Sequence, residues 1–229
     1  MKKKLLLFIM IATLACGLCA CGSTADSKVE NSAQSEGIRQ NEDVKSEDEN
    51  SNDNQLVINA VGDEVIFGSY YYDKNETQKS IEWTVIDIQG DKALLLSNSV
   101  LDAKKNYDVD DDGYMNMLAN RMFSDEEKKQ IITEVWDGQD GSSYIFLLNS
   151  AEVDNYLPER ENELRKACAT EYAINEGVTT YESMSGYYVN WALRDGKWVG
   201  GQTGNMGKIC DTKVHYDYGI RPAMWIQIP

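Results

Sequence analysis

Hydrophobic and polar positions divide the chain into three stretches of different texture. Leu5 to Leu14 is an apolar run behind three lysines, Lys2 to Lys4. Ser23 to Gln55 is built from Ser, Asn, Asp, Glu, Gln and Lys, with almost no large apolar residue. From Leu56 onward, apolar and polar residues alternate in short blocks bounded by Gly, Asp and Asn, the pattern of a folded domain.

Within the domain, Leu56–Val61 and Val65–Gly68 read as short strands around Gly62-Asp63. Ile81 to Ile88 alternates, with Ile81, Trp83 and Val85 on one face and Glu82 and Thr84 on the other. After Gln89-Gly90-Asp91, the run Lys92–Ser97 supplies its buried hairpin partner. An acidic loop, Asp108 to Gly113, leads into helix. Ser124-Asp-Glu-Glu127 is a capping box, in which the Ser side chain accepts an orphan backbone N–H and the Glu reaches back. It predicts a helix from Glu126 to about Val135. Ser143–Leu148 reads as a strand, Ser150–Val153 as the opening of a short helix, and Glu161–Glu176 as a longer helix stopped at Gly177.

The blocks Tyr187–Gly196 and Tyr218–Ile226 each mix aromatic and apolar residues with one arginine, as strands crossing the middle of a domain do. A stretch such as Ala223-Met-Trp-Ile226 is expected to tuck into the core. Strands at both ends with helices between them imply an α+β fold: a single domain, residues 56–229, with an antiparallel sheet and a few helices.

The leading run is too short to span a bilayer and reads, over residues 1–20, as a signal peptide. Leu18-Cys-Ala-Cys21-Gly resembles the lipobox of bacterial lipoproteins, and Thr13-Leu-Ala-Cys16 is a poorer match. The resemblance implies a diacylglycerol-modified Cys21 at the new N-terminus and anchoring on the extracellular face of the cell membrane, where several acyl chains hold stably. Residues 21–55 then form a lipidated cysteine and an acidic tether that cannot bury enough apolar surface to offset chain entropy, and disorder is expected. Its about 33 residues reach roughly 30 Å.

Of the 229 residues, roughly 170 remain for a domain, enough for one sizeable core. The net charge of -16 argues against nucleic acid and against adsorption on anionic lipid, both of which need basic patches.

Ile81-x-Trp-x-Val, Leu94-Leu-Leu-Ser97, Phe123-Ser124, Phe146-Leu-Leu148, Thr170-x-Tyr-Ala173, Trp191-Ala-Leu-Arg194 and Gly219-Ile-Arg-Pro-Ala223 follow one another in an order that is similar to an uncharacterised domain family of bacterial surface proteins and lipoproteins. That family is marked by Trp-Trp-Leu-Arg-Ser and Gly-Val-Arg-Pro-Ala. The resemblance covers about Val65 to Ile226, and this chain departs from it at Ala192 and Asp195. More distantly, the closing pattern resembles the C-type-lectin-like fold of formylglycine-generating enzymes. Their copper-binding cysteine pair has no counterpart beside Cys210, and the lectin motifs Glu-Pro-Asn and Trp-Asn-Asp are missing. A fold is implied, not an activity.

Asp108, Asp110 and Asp112 with Gly113 have the spacing of a calcium loop, but Ala119 stands where a bidentate Glu is needed. A solvated acidic loop is the expected reading and calcium the competing one; no other cofactor is implied. Cys168 and Cys210 are either a disulfide or two thiols. The one histidine, His215, has no nucleophile motif beside it. The 13 tyrosines and five tryptophans exceed what such a core requires. Tyr187, Trp198 and Tyr216, with Arg194, are therefore the candidate contacts of a face for an extracellular glycan or protein. Arg194 and Arg221 have a second reading, as bonds to buried carbonyls or carboxylates between strands. The expected function is a non-catalytic binding module; the alternative is an acid-catalysed glycan hydrolase using paired carboxylates.

Overall fold

A computed structural model describes residues 56–103, 112–135, 142–212 and 217–228. The expected signal peptide, Cys21 and the expected tether lie outside these residues, as do Asp108, Asp110, His215 and Tyr216.

The first sheet is laid down by β1 (Glu64–Tyr71), β2 (Gln78–Gln89) and β3 (Lys92–Ser97). The expected β2–β3 hairpin forms, with Gln89 opposite Lys92 across Gly90-Asp91. A bulge between Val85 and Asp87 breaks the alternation, so that Ile86 is buried as well as Val85. Leu56–Val61 is not a strand: the amides of Asn59 and Ala60 donate to the Asp63 carboxylate, which turns the chain, and Val57 and Val61 are exposed.

Next come β4 (Asp102–Ala103), α1 (Asp112–Met122) and α2 (Asp125–Lys128). The Ser124/Glu127 capping box is present, with the Ser124 amide donating to Glu127 Oε2 at 2.7 Å. The helix stops at Lys128 instead of running to Val135. The following residues become β5 (Ile131–Ile132), beside the chain's last strand, and β6 (Glu134–Val135), paired with β7 (Ser142–Ser143). Of the expected strand Ser143–Leu148, Ser143 lies in β7 and Phe146 makes a single bridge to Ala223.

α3 (Ser150–Tyr156) is capped by Asn149. The expected helix Glu161–Glu176 is instead a 3-10 turn at Glu163–Arg165 and the short α4 (Glu171–Asn175). Between them the chain is extended, because Cys168 O and Thr170 N–H both bond to Val100. There follow β8 (Thr180–Ser183) and β9 (Gly186–Val189), then β10 (Trp191–Ala192), β11 (Trp198–Val199), β12 (Ile209–Cys210), β13 (Gly219–Ile220) and β14 (Ala223–Gln227).

Two five-stranded sheets result, ordered β1-β2-β3-β14-β5 and β12-β11-β10-β13-β4, with β6–β7 and β8–β9 as separate hairpins. Pairing is antiparallel except for the β10–β13 contact. The architecture is one sheet-rich α+β domain with few helices. β14 lies between β3 and β5 with Ala223–Ile226 all buried, as the apolar closing block led one to expect.

The first sheet is covered on both faces, which explains three consecutive leucines in one strand. Leu95, Met224 and Ile226 pack with Trp83 and the Leu118 and Met122 side of α1. Leu94, Leu96 and Trp225 pack the other way, with Val153 and Leu157 of α3 and with Trp191 and Val199 of the second sheet. Among the described residues, no helix is long and apolar enough to cross a membrane.

Candidate functional site

The β8–β9 hairpin is a two-stranded ribbon with one inward and one outward row. Tyr181 faces Tyr188 across the ribbon, and both are half-buried. Asn190 Nδ2 donates to the Tyr181 hydroxyl at 3.3 Å, which ties the inward row to the start of the second sheet. The outward row pairs Glu182 with Tyr187, which is 60% exposed, and Met184 in the turn is fully exposed. Tyr187 therefore stands where a binding face would have it.

Its expected companions are elsewhere. Trp198 is 4% exposed: its ring packs on Tyr218 at 4.8 Å, and Nε1 donates to Thr212 Oγ1 at 3.0 Å. The expectation that Trp198 reaches a ligand is thus overturned by its place in β11, inside the second sheet.

Arg194 is half-buried, and its two terminal nitrogens grip both oxygens of Glu152. One of them also donates to Leu147 O at 2.8 Å. Of its two readings, the bond between elements is the one the structure shows. A lysine offers a point charge where a planar fork is used. Arg194→Lys is expected to lower stability by about 1 kcal/mol, measured by urea denaturation; an unchanged midpoint would contradict this role.

A second cluster was not foreseen. Asp102 of β4 is buried, and its Oδ2 accepts the Tyr70 hydroxyl of β1 at 2.6 Å while Oδ1 accepts the Ala103 amide at 2.6 Å. Tyr114 of α1 hydrogen-bonds the same carboxylate. Tyr172 of α4 meets Tyr70 edge-on at 5.7 Å and Tyr71 at 5.1 Å. The cluster joins the edge strand of one sheet to the edge strand of the other. Burial pushes the Asp102 carboxyl above its ordinary range against the three hydrogen bonds, and the charge of Glu176 adds to the rise. Burial also raises the Tyr70 and Tyr114 hydroxyls, and the Tyr172 hydroxyl is pushed up to about 12. Perturbed groups gather at functional sites but also in structural networks. Here every oxygen of the carboxylate is used inside the fold. In sequence the only signal is an acid enclosed by Leu101 and Ala103 shortly after a buried strand.

Of the calcium candidates, Asp112 opens α1, and Ala119 is buried within it. Asn116 Nδ2 is bonded to Ser142 O. Residues 112–119 are therefore helix and not the second half of a wrapping loop. Among the described residues no three His, Cys, Asp or Glu side chains gather to hold a metal.

Cys168 and Cys210 are not bridged. Cys210 is on β12, at one edge of the second sheet, whereas Cys168 is tied to Val100 just ahead of β4, at the opposite edge. That arrangement keeps the two sulfurs apart, and a disulfide requires close, correctly aimed Cβ atoms.

The family model of DUF6273, a domain of unknown function, matches residues 90–228. The chain belongs to the DUF6273 family. The DUF6273 span begins at the β2–β3 turn, so it takes in Asp102, the β8–β9 hairpin, Arg194 and Arg221, and leaves Tyr70 outside. No curated protein and no solved structure matches the chain.

Proposed function

We propose that this DUF6273 domain is a non-catalytic binding module for a surface glycan or protein. In this reading it is carried on the extracellular face of the membrane by a lipid on Cys21. A distant C-type-lectin-like kinship belongs to the same proposal, supported by the return of β14 to the middle of the first sheet. The observation that carries the binding reading is the outward row of β8–β9, where Tyr187 and Met184 expose large side chains that the core does not use. Rigid aromatic anchors with small loss of rotamer freedom suit such contacts.

The test is sedimentation of the protein with purified peptidoglycan sacculi and, in parallel, capture on an array of purified surface proteins. Binding in one arm should fall at least about tenfold in Tyr187→Ala, the loss expected for a hot-spot residue, with the melting temperature unchanged. Binding in neither arm, or binding indifferent to Tyr187, overturns the proposal. The anchor has its own test: Cys21→Ser should lose its acyl label and leave the membrane fraction, and retention of both would refute it.

Hydrolysis by paired carboxylates draws on Asp102 and Glu176, because the Glu176 charge bears on Asp102. It requires reducing ends to be released from the sacculi and release to stop in Glu176→Gln. The engagement of both Asp102 oxygens within the fold favours binding over this reading.

A further inference from the structure

The outward row of β8–β9 is half of an arrangement that the chain completes elsewhere with its own cations. Lys92 Nζ lies 3.4 Å from Glu134 Oε1 and 4.2 Å from the centre of the Trp225 ring, so one cation is shared by a carboxylate and an aromatic face. Arg194 repeats this: its guanidinium grips Glu152 and is centred 5.7 Å from the Phe146 ring. On a third ring, that of Tyr72, Lys79 Nζ stands at 3.5 Å. In each case a cation is drawn to the negative face of an aromatic ring, and a carboxylate beside the ring strengthens the pull.

Glu182 and Tyr187 supply the carboxylate and the ring but not the cation. The Val189 amide donates to Ala167 O, away from β8, so Val189 and Thr180 form a non-hydrogen-bonded pair. Two residues along, Tyr187 and Glu182 are the next pair of the same kind, which sets their Cβ atoms about 4.5–5.5 Å apart on one face. Among the described residues, neither side chain has a hydrogen bond, an ion pair or a ring contact. The surrounding sequence offers no cation either: residues 167–193 hold Glu171, Glu176 and Glu182 and no lysine, arginine or histidine. Met184, in the turn of the same hairpin, adds a fully exposed thioether, a flexible apolar surface that adapts to what packs on it.

We propose that this face docks a partner protein through a lysine or arginine flanked by an apolar residue. The cation is held between the Glu182 carboxylate and the Tyr187 ring, and its apolar neighbour lies on Met184. A glycan amine would fill the first place and leave Met184 bare, whereas a protein segment fills both. The net charge of -16 draws a basic partner in from a distance. This inference rests on the binding reading above and narrows it to one class of ligand.

The test uses a displayed library of random peptides, selected on the full chain and counter-selected on its Tyr187→Ala variant, so that the peptides retained depend on the hairpin. They should be enriched in lysine or arginine next to an apolar residue. By fluorescence anisotropy, a retained peptide should bind Glu182→Gln at least about tenfold more weakly than wild type, the loss expected at a hot spot. Its binding to wild type should also weaken as salt is raised. Both substituted side chains are exposed, so the melting temperatures should not change. Retained peptides without that enrichment, or with an affinity indifferent to Glu182→Gln, overturn the cation inference and leave the binding reading standing. A selection that retains no peptide also overturns the inference, and the binding reading is then decided by the sacculi and surface-protein arms alone.

Discussion

Gly201→Ala is expected to destabilise the domain by about 3 kcal/mol or more, the upper range for overpacking, because nothing around the new methyl can yield. A Cβ at this position would stand 2.3 Å from Val189 O and 2.4 Å from the Val189 carbonyl carbon. These are backbone atoms of a strand residue whose amide is bonded to Ala167 O. Gly201 cannot retreat either, since its own amide donates to Asn190 Oδ1 at 2.8 Å. The comparison is Gly204→Ala in the same loop. There the added methyl meets nothing within 4 Å, but φ is +89°, so the cost is backbone strain of about 1–2 kcal/mol. Urea denaturation of both variants checks the order. A Gly201 variant no less stable than the Gly204 variant would show that the loop is not seated against β9 as described.

Asp102→Ala should cost about 3 kcal/mol. It strips the buried hydroxyls of Tyr70 and Tyr114 and the Ala103 amide of their common acceptor, and an orphaned buried donor costs about 1–3 kcal/mol. Asp102→Asn keeps the shape and should cost less, but its pH dependence is the sharper readout. Burial raises the folded-state pKa of Asp102, so the folded protein holds this proton more tightly than the unfolded chain does. That contribution is complete below the unfolded carboxyl's pKa and is lost as pH rises through the raised folded value. Wild-type stability relative to Asp102→Asn should therefore fall as pH rises across that window. A difference that is flat with pH, or that grows, would mean the carboxylate is not held in a desolvated site.

Much of this fold was legible because its strongest local signals agree with the tertiary outcome. The alternation of Ile81–Val85, the Gly90-Asp91 turn and the apolar block Ala223–Ile226 all became what they resembled. The misread segments are those where pairing at a distance overrides local preference. Residues after Lys128 leave the helix because Ile131 and Ile132 complete the sheet beside β14, and Lys166–Thr170 stay extended to bond Val100. The site was harder to read for the same reason. Tyr187 and Trp198 belong to one aromatic-rich block, yet one lies on the outward row of a separate ribbon and the other under Tyr218. Asp102 looks like any loop acid until Tyr70, Tyr114 and Tyr172 arrive from three other elements.

The position of β14 between β3 and β5 sets the order in which the molecule can assemble. During synthesis, Leu94, Leu95 and Leu96 emerge more than a hundred residues before the strand that closes their free edge. Until then an apolar strand edge is open to pairing with other chains. Completion of the first sheet must therefore wait for β14, and folding should be slow for a domain of this size, since its decisive contacts are among the most distant in sequence. A nascent or C-terminally clipped chain is the form a holdase would need to shield and a quality-control protease would find.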